Sequence, residues 1–200
     1  MVDLPYRKNR RHQSACIGKD SGMVQNPPPK GLVQIYTGNG KGKTTAALGL
    51  AARAQGQGLK VHFIFFMKGG YPYGERNTLD QLSNTSYEVF GHEHFVDPNN
   101  VQDVDREEAR KALQAAQRAL TSGKYDLVVL DEVNVATSWG LIKIEDLLKL
   151  IDKKPPNVEL VLTGRYADKR LIDKADLVSE VTEVKHPYKQ GIPARKGIEY

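Results

Sequence analysis

One cysteine, Cys16, in a chain of 200 residues excludes an intramolecular disulfide framework, and a thiolate metal cluster would need its other ligands from elsewhere. A reducing cytoplasm is the simplest home for such a chain. Long apolar runs are also missing. The longest, Phe63 to Met67, falls far short of the roughly 20 residues that span a bilayer, so no membrane partner is expected. Residues 1 to 30 have no apolar core behind their basic side chains, which argues against a secretory signal. Tryptophan occurs once, as Trp139, beside Gly140, and reads as a core anchor. The body of the chain also lacks excess charge. The net charge is +5, and Arg7, Lys8, Arg10, Arg11, Lys19 and Lys30 against Asp3 and Asp20 account for nearly all of it. A nucleic-acid footprint needs Lys and Arg clustered on folded elements, so the nearly neutral body does not suggest nucleic acid as a partner.

Apolar residues at 40% and charged residues at 26% are ordinary for a soluble globular domain. Residues 1 to 30 lack hydrophobic periodicity and end in Pro27, Pro28 and Pro29, a stiff spacer, so the chain divides into a basic arm over 1–30 and a domain over 31–200. In the domain, apolar runs alternate with helical patterns. Strands are expected at Leu32 to Tyr36, Val61 to Met67, Tyr87 to Phe90, Leu127 to Leu130, Val158 to Leu162 and Leu177 to Val181. Helices are expected at Thr44 to Ala54, Glu75 to Leu82, Asp105 to Leu120, Ile144 to Ile151 and Ala167 to Lys174. Such alternation needs crossover connections, hence a mostly parallel sheet covered on both faces, with ligands bound beyond the carboxyl ends of its strands.

The first expected strand runs directly into Thr37-Gly38-Asn39-Gly40-Lys41-Gly42-Lys43-Thr44-Thr45 and then into an Ala-rich helix. Glycines let backbone N–H groups converge on phosphate oxygens, the helix start adds positive potential, Lys43 is a point charge, and the Thr44 hydroxyl can reach Mg2+. Thr37 replaces the first glycine of the usual P-loop pattern, with Gly38 immediately after. The expected architecture is therefore a three-layer α/β fold of P-loop NTPase type that binds a nucleotide through its polyphosphate. Such a site needs a carboxylate at the end of a buried strand to hold the metal, and Leu127 to Leu130 lead straight into Asp131 and Glu132. Which of the two touches Mg2+ stays open at this level, with Asn134 as a supporting partner. A further strand ends in Thr163-Gly164-Arg165, where a guanidinium fork could bind phosphate. Lys68-Gly69-Gly70, leading into Tyr71 to Arg76, has the character of a substrate wall.

These motifs alone leave two activities open. A hydrolase or kinase could act at the γ-phosphate, with Glu132 orienting water or Asp131 and the metal aiding transfer. An ATP-dependent nucleic-acid-binding module could use the Arg7 to Arg11 arm.

From Gly31 to Tyr200 the chain resembles the ATP:corrinoid adenosyltransferases, which act on cob(I)alamin and cob(I)yrinic acid a,c-diamide. The resemblance is carried in order by the Thr37 to Thr45 loop, Gly74-Glu75-Arg76-Asn77, Asp131-Glu132, Thr163-Gly164-Arg165, Ala175-Asp176-Leu177-Val178-Ser179-Glu180, Lys185-His186-Pro187 and Lys196-Gly197-Ile198-Glu199-Tyr200. It implies that a reduced corrinoid attacks C5′ of ATP and expels triphosphate, with Lys41, Lys43, Arg165 and Thr44 with Mg2+ acting on the leaving group. It also implies an external reductant or reductase, a homodimer, and an N-terminal segment that closes over a nucleotide site. Relatives often carry a Phe and a Trp after the third strand to displace the lower ligand of cobalt. Here Phe90 to Pro98 contains no Trp, which leaves Phe95 and His94 as the candidate corrinoid wall. His92-Glu93-His94 has an alternative reading as a zinc site, though no further His or Cys lies nearby in sequence. His186, before Pro187, reads as a residue that orients the tail.

Overall fold

The computed structural model describes residues 30–70 and 72–200, so Cys16 and the expected arm, apart from Lys30, lie outside the described residues. The elements are β1 (Val33–Thr37), α1 (Lys43–Gly56), β2 (Val61–Phe65), α2 (Gly74–Gln81), β3 (Thr85–Val89), α3 (Asp103–Thr121), β4 (Leu127–Asp131), α4 (Val133–Ser138), α5 (Ile144–Asp152), β5 (Glu159–Thr163), α6 (Lys169–Lys174) and β6 (Leu177–Glu180), followed by a 3-10 turn at Pro187–Gln190. The strands form one sheet in the order β3-β2-β4-β5-β1-β6, and every pairing is parallel. From β1 the chain crosses β5 and β4 to reach β2, then turns back after β3. That reversal opens a crevice at the carboxyl ends of β1, β5, β4 and β2.

Strand pleating sorts the core into two layers. Phe63, Phe65, Val129 and Val161 pack under α1 and α2, whereas Ile64, Phe66, Val128, Leu130, Leu160 and Leu162 pack under α3, α4, α5 and α6. Ala47, Ala51 and Ala54 bring α1 close to the sheet, and Ala109, Ala112 and Ala116 do the same for α3. A reciprocal cap fixes the start of α3. The Gln102 side chain takes the Asp105 backbone N–H, and the Asp105 carboxylate takes that of Gln102 at 3.1 Å. Among the described residues no helix is long and apolar enough to cross a membrane.

The structure departs from expectation in three elements that bear on the site. β2 stops at Phe65 rather than Met67, because Met67 adopts a left-handed φ of 57° and turns the chain out of the sheet. α4 was not anticipated, since its six residues are too few to show a helical period. β6 is not covered: Leu177 and Val178 are 42% and 38% exposed. It is the edge strand next to β1, and the chain beyond it returns to the crevice, so among the described residues no helix packs over it.

Candidate active site

α1 begins without a side-chain cap and without an acidic residue in its first turn. Its free N–H groups and the positive end of its dipole therefore remain available to an external anion. Gly42, just before it, holds φ at 122°, a value that L side chains rarely adopt. Lys43 closes the loop, its ammonium donating to the carbonyls of Gly38 at 2.9 Å and Gly40 at 2.7 Å. The end of β6 supports the loop from behind, since the Gly40 N–H donates to Val181 O at 2.7 Å and the Val181 N–H to Thr37 O at 2.8 Å.

Behind the loop, β4 ends in the fully buried Asp131. Its Oδ1 accepts from the hydroxyls of Thr44 at 2.9 Å and Thr163 at 2.6 Å, and its Oδ2 lies 2.6 Å from the ammonium of Lys68. Glu132 follows at φ 63°, with its backbone N–H on Thr163 Oγ1 at 3.0 Å. This left-handed turn takes its side chain out of the strand line and into the cleft wall. Gly164 packs against the same turn at φ 125°, where an added Cβ would come within 3.2 Å of both Asn134 Cβ and Glu132 Oε2. The Asn134 amide donates to Gly164 O at 3.2 Å and so fixes the backbone that carries Arg165 to the rim.

The cleft encloses about 900 Å³, enough for a nucleotide and part of a larger partner. Lys43, Thr44, Thr45, Glu132 and Arg165 line one part of it, and Tyr73, Phe95, Val96, Trp139, Tyr166 and Tyr200 give it an aromatic and apolar part. Burial lowers the pKa of Lys43, and Arg165 adds to this against the pull of Glu132 and Asp131. Burial, then the neighbouring Asp131, pushes Glu132 up to about 7, while Lys68, Lys43 and Arg165 draw it back. For Lys68 burial opposes the charged form, yet Asp131 with its hydrogen bond, helped by Glu75 and Glu132, holds it above the ordinary lysine value.

The structure brings together most of the residues singled out in the sequence. Gly38 and Asn39 form the base of the loop; Gly40, Lys41, Gly42, Lys43, Thr44 and Thr45 face the cleft with Glu132 and Arg165. Lys41, however, turns to the C-terminal segment, donating to Ile198 O and Glu199 Oε1, each at 2.9 Å. Arg165 is exposed and has no hydrogen-bond or ion-pair partner among the described residues. Phe95 lines the cleft, but His94 does not: its Nε2 lies 3.0 Å from Asp105 Oδ1, at the start of α3. Trp139, read as a core anchor, does pack against the main core and also forms part of the cleft wall at the end of α4. His186 reaches the wall while its Nδ1 accepts from the Tyr188 N–H, a capping contact for the 3-10 turn. Sequence reasoning missed the Lys68 to Asp131 pair, because nothing in the spacing of a loop lysine announces a partner on another strand.

Residues 29–200 match the family described as ATP:corrinoid adenosyltransferase BtuR/CobO/CobP. The chain is 34% identical over 194 residues to a corrinoid adenosyltransferase of Escherichia coli, covering 97% of this chain and 98% of that protein. It is 35% identical over 199 residues to a corrinoid adenosyltransferase of Pseudomonas aeruginosa, covering 99% and 97%. A third relative, from Salmonella typhimurium, is 34% identical over 194 residues. The matches to these relatives extend into the first 29 residues.

Proposed function

Because the chain belongs to the ATP:corrinoid adenosyltransferase family, we propose that the P-loop cleft binds ATP and turns its C5′ toward the Co(I) centre of a reduced corrinoid. The activity is adenosyl transfer from ATP to a corrinoid. Co(I) supplies the electron pair for the new cobalt–carbon bond, the C5′–O bond breaks, and its electron pair leaves on triphosphate. No Ser, Cys or His needs activation, because the nucleophile arrives with the substrate. The protein's work is to align C5′ with cobalt, stabilise charge on the leaving triphosphate and exclude water. Lys43, the free start of α1 and Arg165 are the groups for that charge. Lys41 joins them only by leaving Glu199.

Thr44 and Glu132 fit Mg2+. The Thr44 hydroxyl gives its proton to Asp131, so its lone pairs remain for a cation, and the Glu132 carboxylate is a second hard oxygen in the cleft wall. When bound, Mg2+ would neutralise charge on the triphosphate oxygens. Asp131 then acts through Thr44 rather than as a direct ligand, since hydroxyls and an ammonium already engage both its oxygens. Phe95 with Trp139 makes the better corrinoid wall, and His94 is left out of it. An external reductant, a homodimer and a cytoplasmic location complete the reading.

The uncapped start of α1 carries this reading, because it opens on the cleft that also holds Lys43, Thr44, Glu132 and Arg165. Incubating the protein with ATP, Mg2+ and chemically reduced cobalamin should consume Co(I) absorbance and release triphosphate in equal amounts. Release of ADP and phosphate without loss of Co(I) would assign the site to γ-phosphate chemistry instead.

A further inference from the structure

Lys68 is the residue of the site that triphosphate binding leaves unexplained. Its side chain is only 10% exposed, its ammonium lies 2.6 Å from Asp131 Oδ2 and 3.4 Å from Glu75 Oε1, and it sits 4.7 Å from the centroid of the Tyr73 ring and 5.3 Å from that of Phe65. Arg76 donates to its backbone carbonyl, which fixes the loop that carries it. We propose that Lys68 is a positioning residue: a built-in cation that holds the Asp131 carboxylate in place before any metal arrives and makes metal entry depend on the triphosphate.

The inference rests on the reading of Thr44 and Glu132 as Mg2+-facing groups and goes one step past it. Four carboxylates, Asp131, Glu132, Glu75 and Glu199, meet four cations, Lys68, Lys43, Arg165 and Lys41, around the cleft. The site without ligands is therefore close to electrical balance. A divalent cation entering alone meets the Lys68 ammonium a few ångströms away and finds the strand-end carboxylate already neutralised, so its attraction is weak. A triphosphate brings more negative charge than Mg2+ brings positive, and in its presence the same cation is favoured. Removing the Lys68 charge should convert the acidic pair into a metal site that no longer needs nucleotide. A lysine present only for packing or stability would predict the opposite, namely weaker metal binding.

The probe is Mn2+, read by the electron paramagnetic resonance signal of the free ion, with folding followed by circular dichroism. Without nucleotide, Lys68→Gln should bind Mn2+ at least about tenfold more tightly than the wild type, a shift of ~1.4 kcal/mol, whereas Lys68→Arg should behave as the wild type. Lys68→Met should match Lys68→Gln. If Met does not fold, Gln decides, because its amide can still donate to Asp131. Unchanged or weaker Mn2+ binding in folded Lys68→Gln overturns the proposal, and so does tight nucleotide-free binding by the wild type, which can be measured whatever the variants do. Adding Glu132→Gln to Lys68→Gln should abolish the gained site. If the site survives that change, the Glu132 assignment fails while the role of Lys68 stands. If ATP induces no Mn2+ binding in the wild type, the Mg2+ reading itself fails.

Discussion

Lys43 is held by two carbonyls of its own loop, so an arriving triphosphate must replace Gly38 O and Gly40 O as partners of the ammonium. Lys43 is buried and its loss leaves Gly38 O and Gly40 O without this donor, so Lys43→Ala should stay folded with a melting temperature a few degrees lower. A charge-assisted contact on a leaving group is worth roughly 3 kcal/mol, and adenosyl transfer should fall about a hundredfold or more. Wild-type turnover in a folded variant would remove Lys43 from the chemistry. The two acids should separate in a different way. Glu132→Gln should raise the Mg2+ concentration needed for half-maximal rate with little effect on melting, because its carboxylate faces the cleft. Asp131→Asn should lower the melting temperature as well, because it disturbs Thr44, Thr163 and the buried Lys68 together. Equal Mg2+ titrations for Glu132→Gln and the wild type would make the acidic pair structural.

At the scale of elements, β2 and β3 carry a titrating group far from the phosphate loop. His62 is buried with Nδ1 2.8 Å from Ser86 Oγ, its ring stacked at 4.5 Å on Tyr125 and Nε2 3.4 Å from Glu88. Burial lowers its pKa, and Glu88 only partly offsets that. The folded chain therefore binds fewer protons here than the unfolded chain just below the ordinary histidine value. Stability from this group is present above about pH 6.5 and is lost as pH falls toward the folded pKa, with a slope of up to about 1.4 kcal/mol per pH unit. His62→Phe keeps the ring on Tyr125 and should flatten that part of the melting profile between pH 7 and 5; an unchanged slope would assign the acid sensitivity elsewhere. Such elements also show what a sequence can and cannot disclose. The P-loop was legible because phosphate chemistry dictates both the residue types and their spacing, and β4 was legible because a strand buried on both faces must be continuously apolar. α4 was not, since six residues give no period to detect. The Lys68 pair and the arrival of Trp139 at the cleft are products of chain crossings, and local pattern has no access to them.

At the scale of the molecule, the cleft and the point where the described chain begins, at Lys30 and Gly31, lie at opposite ends of the sheet. Gly31 enters beside the start of β5, its N–H on Pro156 O at 2.7 Å, whereas the cleft lies beyond the carboxyl ends of the strands. β1 spans roughly 17 Å at about 3.3 Å per residue. A stretch of 26 residues reaches up to ~85 Å when extended, so the arm is long enough to return to its own cleft or to that of a second subunit. Both described core clusters begin at Val33 or later, so removal of residues 1–26 should leave the melting temperature within about 2 °C of the full chain. The matches to relatives run through this segment. If the arm closes over the bound substrates, the shortened protein should still bind ATP but transfer adenosyl more slowly and hold the corrinoid more weakly, because water gains access to the site. If the arm binds nucleic acid instead, the deletion should spare transfer and abolish a salt-sensitive affinity for DNA or RNA. Stopped-flow loss of Co(I) absorbance in the two proteins separates these outcomes, and identical transfer kinetics would eliminate the closing arm.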